Sequence, residues 1–140
     1  MLREWHRADY LISTDRQRLD VEFIHNFLSR DAYWAPGRSL ETVTRSIENS
    51  LNFGLYKADN QIGFARVVTD YATFAWLGDV FVVPEHRGEG LGKWLIESIT
   101  SVRELGGLRR WLLATRDAHD LYRQFGFTNL SEPERWMEKR

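Results

Sequence analysis

The chain has no cysteine. Disulfides, thiolate metal sites and a cysteine nucleophile are therefore excluded. No apolar run approaches the ~18 residues that a membrane-spanning helix needs. The opening residues, Met1-Leu-Arg-Glu-Trp-His-Arg, lack the apolar stretch of a secretory leader. An excess of charge is missing too, since 19 Lys and Arg face 20 Asp and Glu, a net charge of −1. That balance gives no electrostatic case for binding nucleic acid or an anionic membrane. The four histidines, His6, His25, His86 and His119, fall at no ligand-like spacing, so no metal site is expected. There is no internal repeat, low-complexity segment or linker. The expectation is one soluble, cytoplasmic domain over residues 1–140.

Aromatic residues are abundant, with 6 Trp, 5 Tyr and 8 Phe. They suggest aromatic packing and an aromatic-lined pocket. A chain of this length buries roughly 68–70% of its unfolded surface, enough for a sound core.

Periodicity outlines the elements. Residues 5–12 read as a strand. Thr14 with Gln17 forms a capping-box pattern, and Leu19, Phe23, Ile24, Phe27 and Leu28 make an apolar stripe, predicting a helix over 15–29. Residues 29–38 break that pattern and hold Tyr33 and Trp34 in an exposed loop. A second helix follows over 39–49. Strands are predicted at 51–57, 61–69 and 73–83, the first two joined by a turn at Asp59-Asn60. A helix over 91–104 stops at Gly106-Gly107. A strand at 109–115, a helix at 118–125 and short strands at 127–130 and 135–139 complete the chain. The order β-α-α-β-β-β-α-β-α-β-β predicts an α/β fold around a mixed sheet.

Residues Val80 to Trp94 join a strand end to a helix start. The β-branched run Val80 to Val83 ends at Pro84, which has no N–H for the ladder. Gly88, Gly90 and Gly92 follow, and then Leu91, Leu95, Ile99 and Val102 at helical spacing. The first amides of a helix lack internal partners and carry the positive end of its dipole. Glycines keep side chains away, so a phosphate can approach the backbone, and Arg87 and Lys93 add positive charge. A Walker A loop is excluded, because its first glycine would be Arg87 and its hydroxyl residue Trp94. The dinucleotide fingerprint fails at Lys93, where it needs glycine.

What remains is Arg-x-x-Gly-x-Gly at Arg87, Gly90 and Gly92 after an apolar strand. This resembles the acyl-CoA loop of the GNAT superfamily of N-acyltransferases. Ala118-x-x-Leu121-Tyr122-x-x-x-Gly126-Phe127 resembles that family's second signature. The two motifs cover the C-terminal half, and the N-terminal half fits by element order. The resemblance implies a central sheet that splays between the strand before the loop and the strand after its helix. It also implies acetyl-CoA as cosubstrate, held by the backbone of Phe81, Val82 and Val83 and by the loop residues Arg87, Gly88, Glu89, Gly90, Leu91, Gly92 and Lys93. Tyr122 falls at the family's proton-donor position, near the CoA sulfur. Thr115 stands where the family often has an asparagine touching the pantetheine, and Asp117 is the expected N-cap of the following helix.

For a base the sequence offers Asp79, which alternation places on the face of Leu77 and Phe81. Desolvation there would raise its pKa, as a base requires, whereas an ion pair with Arg66 or Arg116 would make it structural. His25 and Glu48 are weaker candidates. The resemblance places the acceptor site in the N-terminal half, where Tyr33, Trp34, Arg38, His25, Phe53 and Trp76 are suggestive. Aromatics with an arginine could hold a small amine that also bears a carboxylate or phosphate.

The function expected is N-acetyltransfer from acetyl-CoA to a primary amine, on a small molecule or a peptide. With no cysteine to form an acyl-enzyme, transfer is direct within a ternary complex. The alternative is a non-catalytic acyl-CoA-binding sensor or regulatory module. Exposed sheet edges allow a homodimer.

Overall fold

The computed structural model describes residues 1–140. It opens on a hairpin of β1 (Glu4–Arg7) and β2 (Tyr10–Ser13), where one strand over 5–12 was expected. The chain reverses at Ala8, at φ 51. Alanine carries no turn signal, because positive φ disfavours a Cβ, so local pattern hides this reversal. Thr14 does not start a helix either. Its Oγ1 accepts the Arg3 N–H at 2.8 Å, while Asp15 caps a short 3-10 turn over Arg16–Arg18. Helix α1 (Val21–Arg30) begins later, capped by Asp20, whose carboxylate accepts the Phe23 N–H at 3.0 Å. Ser39 caps α2 (Leu40–Glu48) in the same way.

Strands β3 (Leu51–Lys57), β4 (Asn60–Thr69) and β5 (Phe74–Val82) form an antiparallel meander. The β3–β4 turn sits at Ala58-Asp59, so Asn60 is already paired with Lys57. Helix α3 (Leu91–Thr100) crosses over to β6 (Arg110–Leu112), which lies parallel to β5. A short α4 (His119–Arg123) follows. The result is one mixed sheet in the order β1-β2-β3-β4-β5-β6. The two final strands expected at 127–130 and 135–139 are absent. Ser131-Glu132-Pro133 lead into a 3-10 turn at Pro133–Arg135, residues 128–140 are exposed, and Trp136 lies 5.0 Å from the Arg110 guanidinium.

Each face of the sheet carries its own core. On one, Leu91, Leu95, Ile96 and Ile99 of α3 pack on Phe53, Leu55, Val67 and Leu77. On the other, Ile24, Phe27 and Leu28 of α1 and Val43 and Ile47 of α2 pack on Phe64 and Phe81. The rings of Phe27 and Phe81 stack with centroids 3.9 Å apart.

Two irregularities of β5 shape what lies above it. The first is a bulge. Phe64 pairs with Phe81 and Arg66 with Gly78, so Asp79 and Val80 together oppose Ala65. Asp79 takes a left-handed conformation at φ 54. The extra residue reverses the alternation, so Leu77 joins the α3-side core and Phe81 the opposite one. The expectation that Leu77, Asp79 and Phe81 share a face is thereby corrected. The second irregularity is early separation. Strand β6 pairs with β5 only from Phe74 to Trp76, so the edge of β5 from Leu77 to Val82 has no neighbouring strand.

Phe81→Ala would empty the stack on Phe27 and leave a cavity between α1 and the sheet. A loss of about 3–5 kcal/mol in folding stability is expected, read as a lowered urea midpoint at unchanged slope.

Candidate active site

The loop from Pro84 to Gly90 opens with a 3-10 turn over Pro84–His86. Gly88 at φ 87 and Gly90 at φ 74 then let the backbone turn where a Cβ would be strained. Gly90 is the N-cap of α3 and offers no side-chain acceptor. The first bond of the ladder runs from the Trp94 N–H to the Gly90 carbonyl at 3.0 Å. The amides of Leu91, Gly92 and Lys93 precede it and face outward at the positive end of the helix. A Cβ built at Gly88, Gly90 or Gly92 meets nothing within 4 Å, so the space before these amides is open. Lys93 is exposed beside it. Arg87 turns back, its Nε donating to the Val82 carbonyl at 3.0 Å. The Glu89 carboxylate accepts the Tyr10 hydroxyl at 2.8 Å, and the Leu91 side chain is core.

Only part of the β5 end is available to a ligand. A Cβ on Gly63 would lie 2.8 Å from the Phe81 carbonyl, which therefore points toward β4. The Val83 N–H donates to the Ile62 carbonyl at 2.9 Å, also toward β4. Val82 alternates with them and presents its backbone to the open edge. The expectation that Phe81, Val82 and Val83 all offer backbone to a ligand thus narrows to Val82.

At the bulge, the Asp79 carboxylate is buried, with 3% of its side chain exposed. Arg66 donates to it from Nε at 2.6 Å, Arg38 from Nη1 at 2.8 and 2.9 Å, and Trp34 from Nε1 at 2.9 Å. Burial is the largest influence on its pKa and raises it. Arg66, Arg38 and the indole together outweigh burial, and the carboxyl sits below its ordinary 3.8. The raised pKa expected of a base is therefore not found, and Asp79 is an ionised anchor. Of the two arginines considered as its partner, Arg66 pairs with it and Arg116 does not, and Arg38 joins as a second.

Arg116 belongs to a different contact. Its backbone N–H donates to the Tyr33 hydroxyl at 2.8 Å, and its guanidinium lies 3.9 Å above the Tyr33 ring. Tyr33 meets Trp34 edge to face at 5.1 Å. The connection between α1 and α2 thus touches β5 through Trp34 and Arg38 and the segment after β6 through Tyr33. It bridges the two diverging strands.

Tyr122 is buried against Phe127, with ring centroids 5.9 Å apart. Burial, and secondly Tyr33, push its phenol up to about 12, so it keeps its proton at neutral pH. A cavity of about 490 Å³ adjoins it, lined by Leu113, Thr115, His119 and Phe127 among others. Thr115 Oγ1 accepts the Ala118 N–H at 3.0 Å and so caps the turn into α4. Asp117, expected as that cap, instead lies 3.7 Å from Arg116. His25 is half-buried on α1. Phe53 is fully buried beside Trp5, which removes it from the acceptor candidates.

The acetyltransferase (GNAT) domain model matches residues 48–129. A protein of Gibberella zeae named as an acetyltransferase, FG08082, is 32% identical over 86% of this chain and 79% of its own length. The chain belongs to the GNAT acetyltransferase family. A solved GNAT-family protein from Xanthomonas campestris pv. campestris superposes on this acetyltransferase with a TM-score of 0.93. It is 47% identical and covers 96% of this chain and 95% of its own. The thialysine Nε-acetyltransferase of Bos taurus is 32% identical over 54% of this chain, which spans 49% of that protein. The domain match takes in the glycine loop, Asp79, Thr115 and Tyr122. Tyr33, Trp34 and Arg38 of this acetyltransferase precede it.

Asp79→Ala would leave two guanidiniums facing each other around a buried gap, and a loss of about 3–5 kcal/mol is expected. Asp79→Asn tests the charge. A carboxyl with a depressed folded pKa stabilises fully above its unfolded value, and that stabilisation fades as pH falls through the folded value. The stability gap between the native chain and Asp79→Asn should be flat above about pH 5 and shrink below pH 4. Urea titrations across that range measure it.

Proposed function

We propose that this GNAT protein transfers the acetyl group of acetyl-CoA directly to a primary amine. The observation that carries this reading is the unpaired edge of β5. It runs from the open amides at the start of α3 to the bulge. The residues present fit acetyl-CoA. Leu91, Gly92 and Lys93 would receive the pyrophosphate through backbone amides, helped by the Lys93 charge. Val82 would hydrogen-bond the pantetheine arm, with Arg87 rotating off its carbonyl. Thr115 serves as a further polar contact through its hydroxyl.

Bound acetyl-CoA supplies an activated acyl group, and the protein's part is positional and electrostatic. Backbone N–H groups on the open edge, at Val82 and by alternation Val80, would face the carbonyl oxygen as it gains charge. Tyr122, protonated at neutral pH, would donate to the departing thiolate. Asp79 acts as no base here; its lone pairs are held by Arg66, Arg38 and Trp34. The amine proton would leave through water. The connection holding Tyr33, Trp34 and Arg38 would form the acceptor side. The relative named for thialysine supports an amine acceptor.

Gly92→Glu is a sharper test of the loop than a change at Gly90, whose positive φ strains any side chain. Glutamate at position 92 would fill the pyrophosphate space with bulk and negative charge while improving helix propensity by roughly 0.5–1 kcal/mol. Acetyl-CoA binding, read by calorimetry, should be lost with folding stability unchanged or slightly raised. Normal binding would remove the loop from the site.

Tyr122→Phe should lower kcat by about 10²-fold or more with little change in acetyl-CoA affinity, the range typical of a lost general acid. CoA release in the presence of a competent amine measures it, and unchanged turnover would remove Tyr122 from the mechanism.

A further inference from the structure

The buried cluster on β5 is not charge-neutral. Arg38 and Arg66, with 22% and 16% of their side chains exposed, both pair with one carboxylate, Asp79. No other acidic group pairs with either, which leaves one positive charge in excess in a half-buried place. Arg66 also donates from Nη1 to Ser50 Oγ at 3.2 Å, toward the far end of the sheet. Arg38 uses Nη1 alone, for both Asp79 oxygens. Its Nε and Nη2 have no acceptor in the chain, and neither is a sealed buried atom. Arg38 therefore has a fixed orientation, a charge that Asp79 shares with Arg66, and free donors on an accessible side. Trp34 and Tyr33 stand beside it on the same connection, and the Arg116 guanidinium, 3.7 Å from the Asp117 carboxylate, lies over the Tyr33 ring.

A half-buried guanidinium with free donors is matched by an oxyanion, which accepts charge-assisted hydrogen bonds in the fork geometry of arginine. We infer that the acceptor amine carries an oxyanion, a carboxylate or a phosphate, and that Arg38 receives it between the Tyr33–Trp34 pair and the β5 bulge. Asp79 is then a positioning residue that holds Arg38 by one nitrogen and leaves the others free. The inference rests on the acetyl-transfer reading and narrows its acceptor to amines with a second, negatively charged end. Polyamines, which present only cations, are disfavoured by the same excess charge.

The test uses matched amines that differ only in the anion. Lysine is compared with cadaverine for the carboxylate, and O-phosphoethanolamine with ethanolamine for the phosphate. Each is titrated calorimetrically into the full chain with and without saturating CoA, and CoA release from acetyl-CoA is followed in parallel. At least one anionic member should bind, and react, about tenfold or more better than its partner, as expected for a charge-assisted contact. The pair that shows the gain identifies the oxyanion. Arg38→Gln should erase the difference, and Arg38→Lys should restore part of it; acetyl-CoA affinity in the same samples separates a lost subsite from an unfolded chain. Equal binding and turnover within both pairs would overturn the inference and leave acetyl transfer standing. So would an anion preference that survives in Arg38→Gln. Failure of acetyl-CoA itself to bind would instead remove the acetyl-transfer reading, and the titrations without CoA would still report on Arg38.

Discussion

A carboxylate removed from water must be paired, and Asp79 is paired from three directions at once. Arg66 ties it to the neighbouring strand, while Trp34 and Arg38 tie it to the connection between the first two helices. That connection has no regular structure to hold it in place. These bonds, the hold of Tyr33 on Arg116, the burial of Ala32 and Ala35 in the core and the Gly37 N–H on the Ser29 carbonyl together fix its position over the sheet. The left-handed backbone at Asp79 belongs to the same arrangement, because the bulge that requires it turns the carboxylate to the face of α1 and α2. Without the bulge, β5 would alternate regularly and Asp79 would share the face of Leu77, against α3.

The separation of β5 from β6 complements that bulge. After Trp76 no strand satisfies the far edge of β5, and edges with free backbone groups attract extended partners. One end of this edge meets the open amides of α3, and the other meets the bulge and the bridging connection. A long cosubstrate with a phosphate-rich end and a reactive end suits a groove whose two ends differ in this way. The phenol of Tyr122 is buried, and that burial keeps its proton in place.

Motif and composition carried much of the reading. The glycine loop was legible because each of its features has a local cause: β-branched strand, proline stop, glycines and helical spacing. Helix α2 and strands β3, β4 and β5 were legible from period and turn residues within one or two positions. The early hairpin was not, because Ala8 bears no turn signature. The last two strands were anticipated at 127–130 and 135–139, yet the outer edge of β6 stays unpaired, and residues 128–140 lie exposed. The capping of α1 fell to Asp20 instead of Thr14, because Thr14 is bonded to the backbone of Arg3. A side chain engaged across the sheet cannot also cap.

The residues by themselves determined the absence of thiol chemistry, the strand–glycine loop–helix unit, the family resemblance and the presence of an aspartate in an apolar strand. These depend on residue type and near-neighbour spacing, which the chain states directly. The tertiary structure decided what that aspartate does. Arg38 and Trp34 lie some forty residues from Asp79 along the chain, and no local pattern links them. Only packing of the first two helices on the sheet brings them together. That packing changes a candidate base into an anchored anion and leaves Arg38 as the group with donors to offer.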